Sequence, residues 1–339
     1  MGSPAPPRRP AAPQPPPRLR PPPALAPMGR KGKIETHASS EAMRWADDGA
    51  ETEVGLGPGQ EGNNFDIRMR DEPDGVLAAS KIVASIKEKG LCLCEANAPQ
   101  QLLEAAYFEA TELWEEGAFG PPMRISDDRS MLEAQLWNQA LKDEEKVVWI
   151  KEGGAKPAQG MNALKLLAKN MADFAGGLGE LLRKEMGIEF DRIGHAMLSC
   201  YTGDRQYTLH LDNPHGEEED EGLPDNGIRL TATYYINPHW DPAEGCQGGL
   251  DMFLTDPKEQ PSSASSAKQA PKFRIAPHAD TLVMFLSERM AHQIVSTKGK
   301  DTKWFALNLW CLHGASMQSM SRKLVAMRNK GSKEDSDDD

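Results

Sequence analysis

Apolar positions recur at helical spacing from Val76 to Lys89, where Val76, Leu77, Ile82, Val83 and Ile86 mark a face and Gly90 is placed to end the helix. Leu91-Cys92-Leu93-Cys94 reads as a short strand. A second helix is predicted over Pro99–Gly117, with Leu102, Leu103, Ala106, Leu113 and Trp114 on one side. Glu145–Ile150 has strand character, and Asn162–Met186 carries a third, long helical pattern followed by Gly187. After Gly194 the pattern changes to short β-type runs between turn clusters. These are Ala196–Tyr201, Tyr207–Leu211, Arg229–Ile236, Leu250–Leu254, Thr281–Leu286, Gln293–Ser296 and Trp304–Leu312. Such a series predicts an all-β barrel or jelly roll, and helices first with strands later make the whole an α+β fold. Two insertions, Glu217–Glu221 and Pro257–Pro271, are predicted to be exposed loops.

The flanks lack this patterning. Residues 1–74 are expected to be disordered, a Pro/Arg-rich arm followed by a polar, Gly-rich stretch with little apolar surface to offset ordering. Residues 75–320 are expected to form one domain with its core at 194–313, and 321–339 a charged, disordered tail. Of 26 prolines, 12 lie in the first 28 positions, favouring extended polyproline conformations there. The arm is a candidate ligand for a reader of Pro-rich motifs, with a merely solvated tail as the blander alternative.

Charge sharpens the division. Residues 1–34 hold seven Arg or Lys and no acid, so the formal net charge of −12 becomes −19 (32 basic against 51 acidic) for the rest. An acidic body without a basic stripe argues against nucleic acid as a partner. No apolar run approaches the ~18 residues of a membrane span, and none matches the core of a secretory signal. Five cysteines, few and odd in number, read as reduced thiols of a cytoplasmic protein, the nucleus included. The Arg-rich, acid-poor start leaves organelle transit open, although its prolines would break an amphipathic helix.

The candidate chemistry centres on His210-Leu211-Asp212. On a strand, residues i and i+2 share a face, so His210 and Asp212 project together while Leu211 packs away. A two-His, one-carboxylate set with open positions suits non-haem Fe(II), and it requires one more His. His37 lies in the arm, and His195, His215, His239 and His313 sit at loop starts or strand ends. His278 falls in a turn beside Pro277. His292 opens a new strand after the turn Ser287–Met290 and returns to the ligand face. Eleven residues on, Lys303 is placed to hold the distal carboxylate of a dicarboxylate cosubstrate; the competing reading is a solvated strand-edge lysine.

With Cys200-Tyr201, His210-Leu211-Asp212-Asn213-Pro214, Tyr234-Tyr235-Ile236-Asn237, Trp240-Asp241 and Gly248-Gly249 in this order, the chain resembles the 2-oxoglutarate- and Fe(II)-dependent prolyl 4-hydroxylases. The resemblance is closest to their intracellular, hypoxia-sensing branch and spans about residues 78–313. It implies a double-stranded β-helix core and His210, Asp212 and His292 as iron ligands. It further implies Tyr201, Tyr235, Met197 and Trp310 as lining of the cosubstrate pocket. Pattern alone makes the tyrosines ordinary strand aromatics and Met197 and Trp310 core. Lys303 stands where the hypoxia branch carries Arg, and Glu145 where it carries Asp. The implied reaction couples decarboxylation of 2-oxoglutarate by O2, giving succinate and CO2, to hydroxylation of a proline in a protein or peptide, with ascorbate as reductant. A different substrate for the same chemistry, and a non-catalytic interaction protein on this fold, are the alternatives.

Overall fold

The computed structural model describes residues 63–120, 146–150, 162–203, 209–214, 225–241, 247–255, 267–297, 302–319 and 322. The proline-rich arm, the acidic run 217–221, Cys246 and residues 323–339 lie outside them.

The described residues begin at Asn63, ahead of the Gly75 at which order was expected from composition. Asn63 is buried, and its side chain makes a two-way link: Nδ2 donates to Ala276 O at 3.0 Å, and Oδ1 accepts from Ala276 N at 2.8 Å. Strand β1 (Ile67–Arg68) then pairs parallel with β2 (Leu91–Glu95). Polar side chains and backbone, which sequence patterning scores as loop, order this segment through long-range hydrogen bonds.

Helix α1 (Gly75–Lys89) is capped by Asp74, whose carboxylate accepts from the N–H groups of Val76 and Leu77. It ends at Gly90, φ +83°, a conformation that L side chains rarely adopt. Its buried face is Ala78, Ile82, Val83 and Ile86; Val76 and Leu77, expected on that face, are exposed in the first turn. Helix α2 (Gln100–Glu115) buries Leu103, Ala106, Ala110 and Leu113, with Leu102 and Trp114 half-buried. The long helix expected at Asn162–Met186 is two helices, α3 (Asn162–Gly177) and α4 (Gly179–Met186). The division falls at Gly176-Gly177, where two poor helix formers meet. Glu109 of α2 accepts from the N–H groups of Ala163 and Leu164, so one helix caps the first turn of the next. No described helix is long and apolar enough to cross a membrane.

The strands are β3 (Lys146–Ile150), β4 (Arg192–Ile193), β5 (Ala196–Thr202), β6 (Ile228–Tyr235), β7 (Gly249–Phe253), β8 (Lys272–Ile275), β9 (Thr281–Leu286), β10 (His292–Val295) and β11 (Lys303–Leu312). They form an eight-stranded sheet in the order β1-β2-β9-β6-β11-β5-β3, with β4 on β11, and a three-stranded sheet β10-β7-β8. Neither β4 nor β8 was expected. Of the predicted strand Tyr207–Leu211 the described part makes only a bridge, His210 with His292. In the Pro257–Pro271 insertion, residues 257–266 lie outside the described set, while Ala267 is buried beside Leu211, Phe253 and Ala291 and so is not exposed loop.

Register divides the larger sheet into two faces. Trp304 pairs with Tyr201, Ala306 with Tyr235, Asn308 with Met197 and Thr233, and Trp310 with Thr231. These residues share the inner face, toward the small sheet; Leu250 and Met252 of β7, Ile275 of β8 and Ile294 of β10 pack against Tyr201, Tyr235, Phe285 and Trp304. The alternate residues Phe305, Leu307, Leu309 and Cys311 face outward and bury with Ile82, Ile86, Leu164 and Leu182 of the helices. Both faces of β11 are therefore covered, which is why it reads as an unbroken apolar run and not an alternation. Two facing sheets backed by helices constitute the α+β, double-stranded β-helix (jelly-roll) architecture expected.

Candidate metal centre

His210, Asp212 and His292 come together, one donor atom from each lying within 4.8 Å of the others. The β-bridge sets the two histidines: His210 N donates to His292 O at 3.1 Å and His292 N to His210 O at 2.9 Å. Their ring centroids stand 4.3 Å apart. The Ser287–Met290 turn delivers His292 to this position, with Ser287 N donating to Arg229 O and Arg289 N and Met290 N to Leu286 O.

Asp212 is buried and its two oxygens have separate tasks. Oδ2 accepts from Thr231 Oγ1 at 2.5 Å and from Trp310 Nε1 at 3.3 Å. Oδ1 faces the imidazoles, 3.5 Å from His210 Nε2 and 3.9 Å from His292 Nε2. Burial pushes the Asp212 carboxyl up, but His210, His292 and Thr231 together outweigh it and hold the group well below the usual carboxylate range. His292 goes the other way: burial, then the neighbouring His210, lower it to about 4 against the opposing pull of Asp212 and Met290 O. Its Nδ1 lies 3.0 Å from Met290 O, so this nitrogen carries the proton and Nε2 presents its lone pair to the centre. A carboxylate held ionised beside a neutral imidazole, with the far side of each already fixed by the protein, fits a divalent metal with nitrogen and oxygen preference such as Fe(II).

A cavity of about 40 Å³ opens on these groups, lined by Met197, Tyr201, Tyr235, Thr231, Asn308 and Trp310 among others. All four residues expected as pocket lining are therefore present. Tyr235 Oη is buried and has no hydrogen-bond partner; burial pushes its phenol far up, so the hydroxyl keeps its proton.

Lys303 is not among the lining residues. It is the first residue of β11 and pairs with Thr202, in alternation with outward-facing Phe305 and Leu307. The inward position belongs to its neighbour Trp304. One residue along a strand is the opposite face, and Trp304 too is absent from the cavity lining. Thr231, which holds Asp212, went unremarked in the sequence; its place two and four residues before Thr233 and Tyr235 on one strand face is the signal that could have found it. Glu145 lies outside the described residues.

Residues 196–312 match the family model of the 2OG-Fe(II) oxygenase superfamily. No curated protein matches the chain. Among solved structures, it is similar to a prolyl hydroxylase from Trichoplax adhaerens in complex with a hypoxia-inducible-factor oxygen degradation domain peptide. That similarity has TM-score 0.50 at 20% identity and covers 72% of this chain and 93% of that one. A Pseudomonas putida prolyl-4-hydroxylase gives TM-score 0.46 at 17% identity over 69% of this chain and 98% of that one. A prolyl 4-hydroxylase of Phytophthora capsici gives 0.46 at 16%, over 76% and 69%. The matched segment begins at β5 and ends at the close of β11, taking in all three donors on the way, and this match together with the His210–Asp212–His292 set supports a 2-oxoglutarate-dependent dioxygenase using Fe(II) and O2.

Proposed function

We propose that the protein hydroxylates proline, at the 4-position, in an intracellular protein or peptide. His210, Asp212 and His292 hold Fe(II), and Tyr201, Tyr235, Met197 and Trp310 line the cosubstrate pocket. The observation that carries the reading is the His210–Asp212–His292 set, half-buried at His210 and buried at the other two, opening on a cavity walled by tyrosine, phenylalanine and tryptophan. Bound iron supplies the activation of O2, coupled to decarboxylation of 2-oxoglutarate to succinate and CO2.

The chain's own residues do the rest. Thr231 and Trp310 orient the Asp212 carboxylate so that Oδ1 faces inward, and Met290 O fixes the His292 tautomer. Leu250, Phe285 and Ile294 give the cavity an apolar wall. A peptide as substrate is supported by the Trichoplax relative, whose solved complex holds one. Ascorbate as reductant and a cytoplasmic or nuclear setting belong to the same proposal.

The test is incubation with Fe(II), ascorbate, 2-oxoglutarate and a library of Pro-containing peptides under O2, reading a one-oxygen mass gain on proline alongside succinate. Succinate with hydroxyproline, both abolished by His210→Ala, is the expected result. Succinate without hydroxyproline defeats the proline assignment, and succinate that survives His210→Ala defeats the metal site.

A further inference from the structure

The three donors are held by different means. His292 opens β10 and pairs with Met252 of β7, and the bridge to His292 holds His210. Asp212 belongs to no described strand, so no sheet ladder sets the direction in which its side chain leaves the backbone. Thr231 and Trp310 bond its carboxylate oxygen Oδ2, beyond the Cβ, and leave the main chain beneath it unset.

That main chain is held by a side chain. Asn226 Nδ2 donates to the Asp212 carbonyl at 2.7 Å, while Asn226 Oδ1 accepts from Ile228 N at 2.9 Å, at the start of β6. Asn226 is 5% exposed, and its own N–H donates to Asn213 Oδ1 at 3.3 Å. Asn213 in turn donates from its backbone N–H to Ser287 O and from Nδ2 to Ile228 O, both at 3.0 Å. One buried amide therefore spans the gap between the segment carrying Asp212 and a strand of the large sheet. Leaving such buried carbonyl and N–H groups unpaired is costly, which keeps the link closed.

Asn226 is itself fixed from both sides. Gly227 follows at φ +82°, and a Cβ there would lie 2.7 Å from Met317 Cγ and 2.8 Å from His313 O, so the chain turns directly against residues 313–317. His313 N donates to Gly227 O at 2.7 Å. On the other side Asp225 accepts from Arg229 Nη1 and Nη2 at 2.8 and 2.7 Å. Arg229 also reaches Glu288 Oε1 at 2.8 Å and Ser316 Oγ at 2.9 Å. The amide is thus delivered to Asp212 by a rigid, ion-paired turn.

We propose that Asn226 is a positioning residue of the metal centre, acting through the Asp212 carbonyl to set the angle at which the Asp212 carboxylate meets the metal. The proposal rests on the reading of His210, Asp212 and His292 as the metal site. It is distinct from the part played by Thr231, which bonds the carboxylate itself. Without the Asn226 amide the carboxylate keeps Thr231 and Trp310, but the backbone beneath it turns, and the metal meets the same three ligands in a poorer geometry. Outer partners of metal ligands act on this scale, about tenfold to hundredfold in affinity.

The experiment titrates Mn(II) into the metal-free, full-length protein, with affinity expressed per folded molecule, and records the visible spectrum of the Co(II)-loaded protein. Asn226→Ala is expected to weaken Mn(II) about tenfold and to alter the Co(II) bands, which respond to ligand geometry. Asn226→Leu fills the volume of the amide without supplying a donor and should show the same loss. Leu307→Ala, which loses stability on the helix side of β11, should keep both wild-type Mn(II) affinity and the wild-type Co(II) spectrum. Wild-type Mn(II) affinity in Asn226→Ala, or a Co(II) spectrum identical to wild type, would overturn the proposal. A loss in Leu307→Ala as large as that in Asn226→Ala would overturn it as well, because affinity would then simply follow stability. If the wild-type protein binds no Mn(II), the metal-site reading itself fails and the proposal with it; if it binds and the Asn226 variants match it, the proposal alone fails.

Discussion

Replacing Thr231 by valine removes one hydroxyl from behind the metal centre and leaves the packing shape nearly unchanged. Thr231 is buried on β6, and its Oγ1 donates to Asp212 Oδ2 at 2.5 Å, the shorter of the two bonds that oxygen receives. A hydrogen bond to a charged acceptor is worth about 1.5–3 kcal/mol. Trp310 Nε1 remains at 3.3 Å to carry part of that load, so the lower end of the range applies. At about 1.4 kcal/mol per factor of ten, Thr231→Val should weaken divalent metal binding about tenfold, in keeping with the tenfold to hundredfold effects of outer partners on metal ligands. Titration of Mn(II) into the metal-free protein reads this directly. Thr231→Ser should restore most of the affinity, because it returns the hydroxyl. In a protein already carrying Asp212→Ala, adding Thr231→Val should cost nothing further. Unchanged affinity in Thr231→Val, or an equal second loss in the Asp212→Ala background, refutes the orienting role. Ser287 Oγ, 2.9 Å from Thr231 Oγ1, also loses a partner, so the unfolding free energy of each variant is measured in parallel.

Three further outcomes follow from the scaffold. Gly90→Ala forces a Cβ onto a residue at φ +83° and into the Met290 sulfur, and should destabilise the protein by about 1–3 kcal/mol in urea unfolding; wild-type stability would refute the backbone assignment. Leu307→Ala removes a fully buried side chain between β11 and the helices and should cost about 2–5 kcal/mol, with metal affinity per folded molecule retained. Asp225 is pushed up by burial but held below the ordinary carboxylate range by Arg229, Ser316, Asn213 and the Gly227 N–H, so its folded value lies below its unfolded one. It therefore contributes stability that is present above the ordinary carboxylate value and lost as pH falls through the folded value. Stability measured from pH about 5 down to about 2 should accordingly fall less steeply in Asp225→Asn than in wild type, and parallel slopes would count against the shift.

The division of labour between pattern and packing is visible at single residues. Helices α1 and α2, strands β2 and β9 and the long run of β11 follow from local periodicity, caps and glycine stops, each decided within a few residues of chain. His210 and Asp212 on one face follow from a two-residue spacing that any extended segment imposes. His292 needed more, a turn placing it on a neighbouring strand, and the bridge to His210 supplies it.

What pattern misjudged was governed by partners distant in sequence. Asn63 has the look of a loop residue, yet it is ordered by hydrogen bonds across 213 residues of chain to Ala276. The break between α3 and α4 is hidden inside a continuous helical periodicity. Lys303 and Trp304 differ by one position. A strand buried on both faces has no polar alternation to tell which of two neighbours points inward, and only the pairing of Trp304 with Tyr201 and of Ala306 with Tyr235 decides it. The sequence by itself thus determined most of the elements, the fold class and the pairing of His210 with Asp212, because those are written in local spacing. The tertiary structure alone determined which residues of β11 face the small sheet and which the helices, because register is a property of two strands and not of one.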